Sequence, residues 1–188
     1  ERIFCVHGGL SQHLQVKNEN GVSNDLDVIF NSIKFPITDA NDNELIQDLL
    51  WADPSPDTKG FTPSERGTSF TFGKDTVAEF LVRHSYDLVC RAHQVVDNGF
   101  DFPFFPDYTV VTIFSAPNYC NEFNNKAVML IVDDNLECTF KFVDPNDPNY
   151  KKNNPFPGSG KAYKLICQCV CVCVCVCVCV GLYQPPPP

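Results

Sequence analysis

Basic charge is scarce in this sequence. Its 188 residues include 14 Lys or Arg against 23 Asp or Glu. Every acidic residue precedes position 151, where only 10 basic residues oppose them, a net of −13 over that stretch. Without a stripe of Lys and Arg nothing neutralises a phosphodiester backbone, which argues against nucleic acid as a partner. The acidity suits basic protein partners or bound cations. Patterned cysteines are missing from the same stretch. Cys5, Cys90, Cys120 and Cys138 are too far apart for a zinc motif or a disulfide framework. A reducing setting, cytoplasmic or nuclear, is expected. A signal peptide and an initiator Met are lacking too. The chain opens on Glu1 and runs straight into apolar residues, so a fragment or an incomplete gene model is expected. Hydrophobic residues are not lacking: they make up 44%, with 16 Phe, enough for a folded core.

Residues 2–6 predict a short buried strand that stops at His7-Gly8-Gly9. Leu26, Ile29, Phe30 and Ile33 recur at helical spacing and predict a helix over 23–33, capped by Ser23 or Asn24. A second helix is expected over 43–50, then a Pro- and Ser-bearing loop to Gly67. Thr76-Val77-Ala78-Glu79 has the form of a capping box opening a helix to about Arg83. Strands are expected over 87–91, 109–115 and 127–133, and the alternation of Leu136, Cys138, Phe140 and Phe142 predicts a half-exposed one, with a hairpin turn at 133–135. The mixture predicts a layered α/β fold over 1–144. Residues 145–164 form a polar linker and 165–188 a low-complexity tail.

Four segments set a polar group where an apolar run meets a loop. His7 and His93 each end an apolar run, and two neutral imidazoles suit metal coordination. Two ligands are too few for a closed site, and the chain has no Asp-x-His or Asn-His pair to add more. Arg66 offers a planar fork that matches phosphate oxygens. Tyr119 offers a phenol after Pro117. Singly, each has a plain explanation in packing or solvation, and the glycines after His7 read as a sharp turn that leaves room for a ligand.

The order of these segments is more specific. His7-Gly8-Gly9-Leu10, Leu49-Leu50-Trp51-Ala52-Asp53-Pro54, the run from Arg66 to Gly73, Arg91-Ala92-His93-Gln94 and Ser115 to Cys120 follow one another as in phosphoprotein phosphatases. Over residues 1–144 the chain resembles that family's type 1, type 2A and calcineurin-like enzymes. Residues 120–124 and 136–142 look most like type 1, although Asn121 and Asn124 stand where Gly and Asp are usual. The resemblance implies part of a four-layer α/β/β/α sandwich with two divalent metal ions, manganese or iron/zinc. It implies hydrolysis of phosphoserine and phosphothreonine in proteins by a metal-activated hydroxide. His7 and His93 match metal ligands, Arg66 and Tyr119 match phosphate-holding residues, and Asp53 matches a segment lining the site.

The family segments that supply most of the metal ligands and the general acid are absent from this sequence, so the chain alone is expected to be inactive. The resemblance also implies regulatory subunits that dock short extended motifs at Ile3, Leu88, Phe102, Leu136, Cys138 and Phe140. A non-catalytic module that keeps only this groove is the rival reading.

From Cys169 to Val180 Cys and Val alternate without a break. A TG dinucleotide repeat translates to this, and Pro185 to Pro188 is what a C-rich run would encode. Physically, the run first suggests an aggregation-prone strand standing apart from the fold. An 18-residue span from Leu165 to Leu182 comes second, though no membrane partner is expected. Soft-metal binding by the thiols comes last.

Overall fold

In the computed structural model the described residues are 2–14, 16–18, 21–23, 26–31, 33–34, 36–37, 39–149 and 178–180. The polar linker and the tail lie outside them, apart from residues 145–149 and 178–180.

The chain opens with β1 (Ile3–Cys5), the paired strands β2 (Val16–Asn18) and β3 (Gly21–Ser23), then α1 (Leu26–Asn31) and α2 (Glu44–Trp51). Three short strands follow, β4 (Asp53–Pro54), β5 (Phe61–Pro63) and β6 (Phe70–Phe72), and then α3 (Lys74–His84). The last part is almost all strand: β7 (Leu88–Arg91), β8 (Phe100–Asp101), β9 (Val110–Ile113), β10 (Ala127–Val132), β11 (Cys138–Val143) and β12 (Val178–Val180). Two compact units result, one of residues 1–93 with 102–112, the other of 94–101 with 113–188.

In the first unit β1, β7 and β9 run parallel, in that order, with Ile3 opposite Leu88 and Cys5 opposite Cys90. Parallel strands are covered on both faces, which is why Val110-Val111-Thr112-Ile113 is buried throughout rather than alternating. The core behind the sheet joins Phe4, Val6, Leu10, Ile29, Leu45, Phe72, Val77 and Phe80. Ile29 is the buried anchor of α1, with Leu26, Phe30 and Ile33 packed against the same core, as the spacing predicts. α2 begins where Asn43 accepts a hydrogen bond from the Ile46 amide, an N-cap of the ordinary kind.

Two expectations need correction. The capping box does not open α3: the helix starts at Lys74, with Gly73 at the N-cap and Thr76 inside the helix. A Cβ at Gly73 would press on the Thr58 carbonyl group, so close backbone packing excludes a side-chain cap. The long loop before Gly67 is also not structureless. β5 pairs antiparallel with β6, and β6 parallel with β4, so residues 53–72 carry a small sheet of their own.

In the second unit β10 pairs antiparallel with β11, and the Asp133 carboxylate closes their turn by accepting the amides of Asn135 and Glu137. Leu136, in that turn, has a left-handed φ of 65° and is half exposed. β12 adds to the other edge of β10 in parallel, with Leu130 opposite Val178 and Val132 opposite Val180. Part of the tail therefore joins the sheet, where separation from the fold was expected. Alternating β-branched residues without charge are what an open strand edge accepts.

Candidate active site

The first unit holds most of the candidate residues at one end of its sheet. The β1–β7 ladder continues past both strands: the Val6 amide donates to the Cys90 carbonyl at 3.0 Å, and the Ala92 amide to the His7 carbonyl at 3.0 Å. That last bond sets His7 level with the residue before His93. The two imidazoles meet edge to face, with ring centroids 5.1 Å apart. Trp51, from the end of α2, packs its ring against His93 at 5.2 Å.

His93 has a φ of +61°, a left-handed conformation that non-glycine residues adopt at a cost. Its Nε2 is buried and makes no hydrogen bond among the described residues. Burial pushes the imidazole down to about 4. Arg91, Arg66 and His7 push the same way, and Asp53 opposes them. The ring is therefore neutral at physiological pH, the form that ligates metals.

The glycines after His7 serve close packing rather than a sharp turn. Neither has a positive φ. A Cβ on Gly8 would lie 2.5 Å from the Leu50 carbonyl carbon, and one on Gly9 would enter the ring of buried Phe72. The Gly8 amide also donates to the Leu49 carbonyl at 2.7 Å. The end of α2 is thus seated directly on the backbone after His7, which brings Trp51, Ala52 and Asp53 to the site.

Asp53 is buried and shared between two arginines. Arg66 Nε donates to its Oδ2 at 2.6 Å, and Arg91 Nη2 to its Oδ1 at 2.8 Å. Arg66 is partly exposed and Arg91 has no exposure. Arg91 also donates to the carbonyls of Gly8 at 2.6 Å and Ala52 at 3.3 Å. Burial lowers its guanidinium to about 10, with Asp53 holding it up, so it remains charged at neutral pH. Arg91 was not singled out as a site residue: it reads as the end of an apolar strand. The available signal was its charge inside a run otherwise destined for burial, since a buried guanidinium needs partners.

Tyr119 belongs to the second unit and is described within it. Its loop is built from residues in the left-handed region: Asn118, Cys120, Asn121 and Asn124 all have positive φ. Asn tolerates that conformation better than most residues, which accounts for Asn121 standing where Gly is usual. Fully buried Asn125 organises the loop. Its side chain accepts from the Tyr119 amide at 2.9 Å and donates to the carbonyls of Ala116 and Lys126. The Tyr119 ring stands edge-on to Phe114, partly exposed.

Among the described residues no group of three or more His, Cys, Asp or Glu is arranged to hold a metal. His7 and His93 fit part of such a shell: two adjacent rings, one with a buried, unbonded nitrogen and held neutral. The groove residues are spread over the chain. Ile3 and Leu88 face each other across β1 and β7, the ring of Phe102 stands edge-on to Tyr108, and Phe140 stacks on Phe100 at 4.5 Å. Leu136 and Cys138 are exposed. No helix among the described residues is long and apolar enough to cross a membrane.

Residues 1–97, which include His7, Asp53, Arg66, Arg91 and His93, match the family model described as calcineurin-like phosphoesterase. The solved structure of a protein serine/threonine phosphatase from Saccharomyces cerevisiae with similarity to human phosphatase PP5 shares the fold, at a TM-score of 0.56 and 24% identity. The match covers 76% of this chain and 44% of that one, so the chain spans less than half its length.

Proposed function

Because this chain belongs to the calcineurin-like phosphoesterase family, we propose that it supplies the second half of the active site of a protein serine/threonine phosphatase. The observation that carries this reading is the His7–His93 pair, 5.1 Å between centroids, in the same unit as an arginine oriented by a buried carboxylate. Arg66 commits its Nε to Asp53, which leaves its terminal nitrogens to donate to phosphoryl oxygens. Asp53 fixes the guanidinium plane and itself faces no substrate charge, since both of its oxygens are engaged. The family resemblance also assigns the Tyr119 phenol a phosphate-holding role. His7 and His93 would hold a divalent ion, manganese or one of an iron/zinc pair, which when bound supplies Lewis acidity toward a phosphoryl oxygen. The substrates are phosphoserine and phosphothreonine proteins, in the cytoplasm or nucleus. Regulatory subunits would dock extended motifs at Ile3, Leu88, Phe102, Leu136, Cys138 and Phe140.

The second reading is a non-catalytic docking module. It is favoured by the lack, among the described residues, of a third ligand beside the histidines. The two separate by assay. Residues 1–188 with manganese should not turn over a phosphoserine peptide. Adding a polypeptide that carries the missing Asp- and His-bearing segments should restore hydrolysis, and His93→Ala should abolish it. If complementation fails while a docking peptide still binds, and that binding is weakened by Phe140→Ala, the module reading stands instead.

A further inference from the structure

Arg66 sits in a turn whose tip, Glu65 to Gly67, is exposed. The turn closes on hydrogen bonds: the Ser64 amide donates to the Ser69 carbonyl at 3.1 Å, the Gly67 amide to the Ser64 carbonyl at 3.1 Å, and the Arg66 amide to Ser64 Oγ at 3.2 Å. Around its tip there is open space, since a Cβ on Gly67 would meet nothing within 4 Å. A turn of this kind needs an anchor elsewhere if its guanidinium is to keep one orientation.

Ser69, at the far end of the turn, has a φ of +59°, a strained conformation for serine. Its hydroxyl donates to Asp48 Oδ1 at 2.7 Å. Asp48 lies on α2, is almost fully buried, and forms no ion pair among the described residues. Its other oxygen, Oδ2, accepts from Ser11 Oγ at 2.6 Å. A buried carboxylate without a cation is costly, and hydroxyl donors offset only part of that cost. Core packing alone would place an apolar residue there.

We propose that Asp48, acting through Ser69, is a positioning residue for Arg66. The turn is then clamped twice from one continuous stretch of chain. Asp48 holds its far end by the serine, and Asp53 holds the guanidinium directly. Both acids are fixed by the C-terminal half of α2 and the strand that follows. The proposal rests on the reading of Arg66 as the group that receives a phosphate. Within that reading it assigns a role to a residue that touches neither substrate nor metal.

The test uses residues 1–188 without metal and inorganic phosphate as the probe, followed by NMR at the Arg66 Nε–Hε signal. Two quantities are read: the order of that bond and its apparent phosphate Kd. Ser69→Ala removes one arm of the clamp, and Ser11→Ala removes the hydroxyl on the opposite oxygen. Melting temperature reports folding for both. Ser69→Ala should lower the order of Arg66 and weaken phosphate binding about threefold to tenfold. Asp48→Asn should act in the same direction, and Ser11→Ala should change neither quantity. The proposal is overturned if Ser69→Ala leaves both unchanged, or if Ser11→Ala matches its effect. If phosphate never shifts Arg66 in the unmodified chain while Ser69→Ala still frees the turn, the phosphate reading falls and the clamp stands.

Discussion

Arg91 and Asp53 form an ion pair in the interior of the first unit, Nη2 to Oδ1 at 2.8 Å, with no part of the guanidinium exposed. Three elements meet at this pair. Arg91 ends β7, Asp53 begins β4, and the Gly8 carbonyl that accepts from Arg91 follows β1. The cation ties the strand that leads to His93 to the segment bearing His7 before any ligand is present.

Removing Arg91 takes the donor from Asp53 Oδ1 and from the carbonyls of Gly8 and Ala52, and leaves Arg66 as the one cation on the buried carboxylate. Arg91→Met should destabilise the chain by about 3–5 kcal/mol in urea unfolding. Arg91→Lys should recover little, because an ammonium cannot reach three acceptors with a planar fork. A Lys variant as stable as the original would show that charge alone suffices.

The chain has one tryptophan, and it lies 5.2 Å from His93. Intrinsic fluorescence therefore reports on the histidine pair without a label. Titration with manganese or cobalt should quench Trp51, and His93→Ala should remove the quenching. Unchanged emission at millimolar metal would mean that the two rings do not hold an ion by themselves.

Gly8→Ala and Gly9→Ala should each cost about 1–3 kcal/mol, from overpacking against the α2 backbone and Phe72. Gly67→Asn, at φ +77° in open space, should cost less than either. Thermal melts of the three variants check the order.

Asp75 accepts from the Gly60 amide through both oxygens at 3.0 Å, which holds its carboxyl below the ordinary range. Asp87 is held down in the same way by Arg2. A group lowered in the fold stabilises it above the unfolded pKa, about 3.9, and that contribution is lost as pH falls through the folded value. Asp75→Asn should thus be less stable than the parent at pH 7, and the gap should close near pH 2. A gap that persists in acid would place the effect outside this carboxyl.

Much of the sheet was legible in the sequence because it depends on local runs. Val89 and Val110 sit in apolar segments whose neighbours already specify burial. The helix capped by Asn43 is also a local matter. Arg91, Asp48 and the β5–β6 pair were not legible, and the reason is sequence distance. The partners of Arg91 lie 38 to 83 residues away and those of Asp48 lie 21 and 37 away. No window of adjacent residues contains them. Gly73 misled for a related reason, since the carbonyl that excludes a side chain there comes from Thr58. The candidate ligands were found through their motifs, whereas the groups that hold those ligands in place emerged only with the fold.

The strand at Val178–Val180 is one of five identical Val-Cys-Val frames in the run from Cys169 to Val180. In ordinary sheets side-chain pattern selects a single register. Here a shift of two residues presents β10 with the same sequence again. Gaining or losing one Cys-Val dipeptide leaves an equivalent partner for Leu130–Val132. The pairing is therefore indifferent to the length of the run.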